Sequence, residues 1–293
     1  MNSNDKIKKQ QSGASSVRGA GNRVGVLLVH SLGGSPIELR FVAQALTQAG
    51  YTVSCPLLKG LAGGTDVSAM STWQDWYTAV QEAHDELKEK CDIVMVGGLS
   101  AGAVLALRLA ALRPDDVHGL VLFSPTLWPN GWSIPWYFNL FRLVKTKWTA
   151  RLFHFKASAP HGIKDDRIRA FITDAMSSHE GSIEDIFGRG GGLVYEFMRL
   201  VKRVRPLLGQ VRQHTLIFHP RFDDQSDMSN AMLLQRKLAG RVDVSILDDC
   251  YHMVTLDRQR SIVVEGTVAF IDRQVKRHIE AAERFDGAVK GAM

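Results

Sequence analysis

"VMVGGLSAGAVLALRLA", residues 94–110, passes from an apolar strand-like run through three glycines and a serine into a helix-like run. A Gly-rich turn from strand to helix can cradle a phosphate, make a tight structural turn or expose a nucleophile. The three readings differ in what the rest of the chain must supply. A phosphate loop needs Gly-Lys-Ser/Thr, and a dinucleotide fingerprint needs G-x-G-x-x-G with an acidic residue about twenty positions on. Gly97, Gly98 and Gly102 fit neither. They do fit G-x-S-x-G around Ser100, the nucleophile elbow, in which small neighbours make room for a strained serine. Composition alone yields that pattern in roughly one such chain in six, so its context decides.

Outward from this stretch, short apolar runs read as strands at 24–30, 51–58, 92–98, 119–125, 214–220 and 243–249. Their continuous Val/Ile/Leu character is that of parallel strands buried on both faces. Amphipathic stretches lie between them, and the last helix is read from about Arg258 to Arg284. The alternation predicts an α/β fold with a doubly wound, mostly parallel sheet.

The alternation breaks once. Residues 125–210 lack a clear strand and open with the aromatic run "PTLWPNGWSIPWYFNLF". A segment this long, where a short crossover would serve, predicts an inserted helical cap or lid. It carries thirteen Lys/Arg against seven Asp/Glu, an excess as large as the formal charge of +6 on the whole chain. "GRGGG" at 188–192 is expected to be a flexible joint in it. The core is then 24–124 with 211–285, followed by a C-terminal tail at 286–293.

At 293 residues, with 45% hydrophobic and 23% charged residues, the chain has the composition of a soluble globular protein. Residues 1–23 hold five Lys/Arg against one Asp and no apolar stretch, which predicts a disordered basic tail rather than a signal peptide or membrane span. The tail or the cap allows weak peripheral membrane contact; no transmembrane segment and no nucleic-acid partner are expected. Cys55, Cys91 and Cys250 have neither disulfide nor metal spacing, so no metal is expected and a reducing cytoplasm fits best.

A serine hydroxyl needs a base, and the base an orienting acid. In hydrolases built on such sheets the chain order is Ser, then Asp or Glu, then His, each beyond a strand's C-terminal end. "RFDDQSD" follows the strand at 214–220, and "CYHMVTLD" follows the last one. His252 is therefore the expected base. Asp223 is the favoured acid because it comes first after its strand; Asp224 and Asp227 are expected to face solvent or cap the next helix. The oxyanion of a tetrahedral intermediate needs two N–H donors, one from Ala101 behind the nucleophile and one from the loop "VHSLGGSP". His30 in that loop precedes Ser100, against the usual order, and is expected to brace the loop.

Through "LLVHSLGGSP", "GLSAG", "RFDD" and "YHMVTLD", in that order, the chain resembles an α/β-hydrolase of the carboxylesterase and monoacylglycerol-lipase branch over residues 24–285. The resemblance implies Ser100 as nucleophile, Asp223 as acid, His252 as base, and Leu32 and Ala101 as oxyanion donors, with no cofactor. Two positions depart from the family pattern: Ser31 stands where the His-Gly pair has glycine, and Tyr251 stands where glycine precedes the histidine.

The expected function is a serine esterase cleaving small-molecule esters of hydrophobic acyl or aromatic character through an acyl-enzyme. Trp128, Trp132, Trp136 and Phe138 either line the acyl pocket or glue the cap to the core. The basic cap raises an alternative, an acyl thioesterase or acyltransferase on an anionic acyl carrier. A second alternative is a hydrolase-fold protein that binds a ligand without turning it over.

Overall fold

The computed structural model describes residues 23–62, 71–155, 160–177 and 189–291. Most of the basic tail, 1–22, and the beginning of "GRGGG" lie outside them. Six parallel strands form the main sheet: β1 (Val24–Val29), β2 (Thr52–Ser54), β3 (Ile93–Leu99), β4 (Gly119–Phe123), β7 (Thr215–Pro220) and β8 (Val242–Leu247). Between the fourth and fifth of these, β5 (His154–Phe155) and β6 (Arg189–Gly190) make a separate antiparallel ribbon. The helices are α1 (Arg40–Gln48), α2 (Trp73–Lys88), α3 (Ala101–Leu112), α4 (Lys147–Ala150), α5 (Asp166–Ser177), α6 (Gly191–Val204), α7 (Ser229–Lys237) and α8 (Arg260–Gly291). None of the described helices is long and apolar enough to cross a membrane.

The strand order β2-β1-β3-β4-β7-β8 reverses direction between β1 and β3, which is the doubly wound arrangement. In open sheets of this kind, sites form beyond the carboxyl ends of the strands at such a switch point. Register fixes what meets there. Val29 lies beside Gly98, Leu99 beside Phe123, Phe123 beside Phe218, and Pro220 beside Leu247. The loops carrying Leu32, Ser100, Asp223 and His252 therefore leave the same edge of the sheet.

One face of the sheet is covered by α2, α3 and α6, with Trp76, Leu105 and Leu200 in a single apolar cluster. The other is covered by α1 and α8 through Leu39, Val42, Leu46, Phe270 and Ile271. Helix α3 is apolar all round because α2 and α6 close over its outer side. Pro56, which has no N–H to pair, follows shortly after β2, and that edge strand is much shorter than 51–58. At the other end, α8 continues past Arg284 to Gly291.

Two parts of the cap region differ from the sequence reading. The buried face of α6, with Leu193, Phe197, Leu200, Val201 and Val204, belongs to the main core. Parallel β4 and β7 are neighbours and require a crossover helix, which α6 supplies, so we place the end of the cap insertion at Gly190 rather than at 210. Nor are the described glycines of "GRGGG" a flexible joint: Gly191 opens α6, and a Cβ on it would meet Ala150 O at 2.1 Å.

The glycines of the opening stretch are contact points. A Cβ on Gly102 would sit 2.2 Å from Val29 O and 2.6 Å from His30 O; one on Gly98 would sit 2.3 Å from the Gly102 carbonyl carbon. The first turn of α3 thus rests directly on the ends of β1 and β3. Gly102→Ala is expected to lower the urea-unfolding free energy by about 1–3 kcal/mol, the usual cost of overpacking. Gly209→Ala, at a site where a Cβ meets nothing within 4 Å, should leave it within about 0.5 kcal/mol of wild type.

Candidate active site

Ser100 joins β3 to α3 with φ 55° and ψ −110°, a left-handed conformation forced by the tight crossing at Gly98 and Gly102. Its backbone N–H is held by Phe123 O at 2.9 Å. The side chain stands at the carboxyl edge of the sheet, only 6% exposed, with Oγ 3.1 Å from Thr126 Oγ1.

His252 follows β8 and is buried. Its Nδ1 lies 3.0 and 2.9 Å from the two Asp223 oxygens, so Nδ1–H donates and Nε2 is left as the basic nitrogen. Asp223 is fixed in turn. Its Oδ1 accepts the N–H groups of Gln225 and Ser226 at 2.8 and 2.9 Å, and Oδ2 accepts Ser226 Oγ at 3.3 Å. Burial pushes the Asp223 carboxyl up, but the charge and hydrogen bond of His252, the charge of His219 and the Ser226 N–H together hold it below the ordinary carboxylate range. The carboxylate is thereby kept ionised against the imidazole. Ser124 Oγ donates to His252 O at 2.7 Å and secures the loop from below.

Asp224 neither faces solvent nor caps a helix, as the sequence reading had it. It is buried, its Oδ1 accepting the His252 N–H at 3.2 Å and its Oδ2 the Gly162 N–H at 2.9 Å. Burial, with the neighbouring Asp223 charge, raises its pKa despite the opposing pull of His252. A second buried carboxylate, Asp257, accepts N–H groups from Tyr251, Lys164 and Asp165 at 2.8, 2.8 and 3.1 Å. Gly162 O also accepts the Met253 N–H at 2.8 Å. Residues 162–165 are thus stapled to the histidine loop by two acids that no local pattern marks. Asp227 does lie at the start of α7, its Oδ1 accepting the Ser229 N–H at 2.9 Å.

The loop after β1 is rigid. His30 Nε2 accepts the Leu58 N–H at 3.1 Å and its Nδ1 lies 2.9 Å from Ser31 O, so His30 braces the loop as a neutral imidazole. Ser31, the departure from the His-Gly pair, donates N–H and Oγ–H to the two Glu38 oxygens at 2.9 Å each. Glu38 O accepts Thr255 Oγ1 at 2.6 Å, linking this loop to the histidine loop. Gly33, at φ 73°, makes the turn that follows Leu32. Among the described residues no acceptor meets the N–H of Leu32 or of Ala101, the first residue of α3. A strained serine, an oriented imidazole with a buried carboxylate behind it, and two unspent N–H donors are the equipment of acyl transfer.

The family described as serine aminopeptidase, S33 matches residues 21–259. The chain belongs to that family. It is similar to a thermostable monoacylglycerol lipase from Bacillus sp. (strain H-257), 26% identical over 262 residues that cover 88% of this chain and 94% of the relative. Among solved structures, the metagenome-derived lipolytic enzymes LipS and LipT give a TM-score of 0.72 at 25% identity, covering 86% of this chain and 95% of theirs. The monoacylglycerol lipase of Paleococcus ferrophilus gives 0.68 at 17% identity, with 85% and 94% covered, a likeness of fold. The α/β-hydrolase fold expected from the sequence is therefore the fold of this S33 member.

The four cap aromatics part company. Phe138 is buried in a small cluster with Phe141 and Ala150 and with Val194 of α6, and Trp128 packs edge-on against it at 6.4 Å. Trp136 is 79% exposed. Trp132 reaches the histidine loop: its ring meets Tyr251 at 5.5 Å and its Nε1–H donates to Phe222 O at 3.1 Å. Tyr251, the second departure from the family pattern, thus provides the cap with a ring to rest on.

Burial lowers the His30 pKa to about 4, with the Ser31 hydrogen bond opposing it. The unfolded chain takes up this proton near pH 6.5, the folded one only near 4, so stability is lost as pH falls through that window. His219, His84, His118 and His161 are shifted in the same direction, chiefly by burial. Urea-unfolding free energies of wild type should therefore fall between pH 6.5 and 4 by about 3 kcal/mol more than those of His30→Asn. Equal pH slopes for the two proteins would contradict the buried neutral imidazole.

Proposed function

We propose that this S33 member is a carboxylic ester hydrolase that cleaves esters of apolar acyl or aromatic character through an acyl-enzyme on Ser100. The observation that carries the reading is His252: both oxygens of a buried carboxylate hold Nδ1, and the opposite nitrogen is left to accept a proton at the sheet edge where Ser100 is strained outward.

Ser100 Oγ attacks the ester carbonyl carbon as its proton passes to His252 Nε2. The carbonyl oxygen becomes an oxyanion held by the N–H groups of Leu32 and Ala101, the latter helped by the positive end of α3. Asp223 stabilises the imidazolium that forms. Collapse breaks the bond to the alcohol oxygen, which takes the proton from His252 Nε2 and departs. Water then gives a proton to the same nitrogen as it attacks the acyl carbon; the bond from that carbon to Ser100 Oγ breaks, Oγ takes the proton back from His252 Nε2, and the acid leaves.

The names of the relatives, lipases and lipolytic enzymes, support an ester over a peptide bond as the substrate. The exposed apolar residues of the cap, among them Trp132, Trp136, Leu143 and Trp148, support an apolar acyl group. Turnover of p-nitrophenyl esters across an acyl-length series is expected to rise from acetate towards longer chains. In Ser100→Ala, kcat should fall by about 10⁴-fold or more, and in Asp223→Asn by a loss on the order of 10⁴-fold through the wrong imidazole tautomer. Turnover by Ser100→Ala within tenfold of wild type would remove the assignment.

A further inference from the structure

Ser100 has a polar partner, and it is Thr126. Thr126 lies just beyond β4, three residues after Phe123, whose carbonyl holds the Ser100 N–H. Its Oγ1 is 3.1 Å from Ser100 Oγ, 3.1 Å from Ser226 Oγ and 3.2 Å from Ser124 O. Ser226 Oγ donates onward to Asp223 Oδ2 at 3.3 Å. A hydroxyl has one proton to give. Ser226 directs its own to the carboxylate, and Thr126 directs its own to Ser226 or to the Ser124 carbonyl. The Ser100–Thr126 contact admits either hydroxyl as donor; with the Thr126 proton so directed, Thr126 presents a lone pair to Ser100 and Ser100 donates. The hydroxyls of Ser100, Thr126 and Ser226 form a buried path that ends on the carboxylate orienting His252. His252 Nε2 is buried as well, and no described residue meets it.

We propose that Thr126 is a positioning residue for the nucleophile. Its hydroxyl holds the Ser100 proton in a resting direction, away from His252. Attack requires Ser100 to leave Thr126 by rotation about χ1 and to donate to Nε2 instead; no bond other than these hydrogen bonds changes in that step. The resting bond acts as a population tax on the reactive rotamer, and the size of one net hydrogen bond sets that tax at about 2- to 10-fold. The inference rests on the proposed role of Ser100 and deepens it.

The test is the second-order rate constant for labelling by a fluorophosphonate, with the adduct located by mass spectrometry. Thr126→Val keeps the shape of the side chain and deletes its hydroxyl. Labelling of this variant at Ser100 is expected to be about 2- to 10-fold faster than wild type, and Thr126→Ser, which restores the hydroxyl, should return the rate towards wild type. A packing role alone would not separate valine from serine in this direction. An unchanged or slower rate in folded Thr126→Val overturns the inference while leaving Ser100 as nucleophile. Absence of a Ser100 adduct in wild type overturns the proposed function itself. Should Thr126→Val fail to fold, a crystal structure of the unliganded wild type decides: Ser100 Oγ on Thr126 Oγ1 supports the inference, and Ser100 Oγ on His252 Nε2 refutes it.

Discussion

A carboxylate with almost no contact with water, Asp223, is the constraint on which the rest of the site depends. An unpaired charge so placed would cost several kcal/mol, and its stability rests on what is aimed at it. Two backbone N–H groups from its own turn, the Ser226 hydroxyl and the His252 ring supply the compensation. The consequence runs outward. Because the carboxylate is ionised and immobile, the imidazole has one tautomer and one orientation, and its basic nitrogen stands at the edge of the sheet.

That edge exists because of the topology. The strand order turns back between the parallel neighbours β1 and β3, so the loop holding Leu32 and the elbow holding Ser100 emerge side by side, while β4, β7 and β8 add Thr126, Asp223 and His252 along the same rim. Gly98 and Gly102 allow α3 to start in contact with the β1 carbonyls, which tips the serine into its left-handed conformation. Residues 162–165 are tied to this rim by Asp224 and Asp257, and Trp132 packs edge-on against Tyr251.

The sheet was legible in the sequence because parallel strands buried on both faces leave continuous apolar runs, and the gathering of Ser100, Asp223 and His252 at one edge because they follow strand ends in a fixed order. What local pattern could not convey was side-chain burial created by distant segments. Asp224 looks like any acid in "RFDDQSD" until Gly162 arrives from the cap, and Ser31 looks like a loop residue until Glu38 folds back on it. Thr126 had no sequence signal beyond its place after a strand. Helix α6 read as cap because it follows the cap in the chain; its long apolar stripe, from Leu193 to Val204, was the sign that it covers the core.

The central claim is that Ser100, His252 and the two N–H donors act on one tetrahedral centre. A crystal structure of the phosphonylated protein tests it most directly. Phosphorus is expected on Ser100 Oγ, with the phosphoryl oxygen about 2.7–3.1 Å from both Leu32 N and Ala101 N and His252 Nε2 facing the remaining oxygen. Phosphorus on another residue, or a phosphoryl oxygen turned away from both N–H groups, would contradict it.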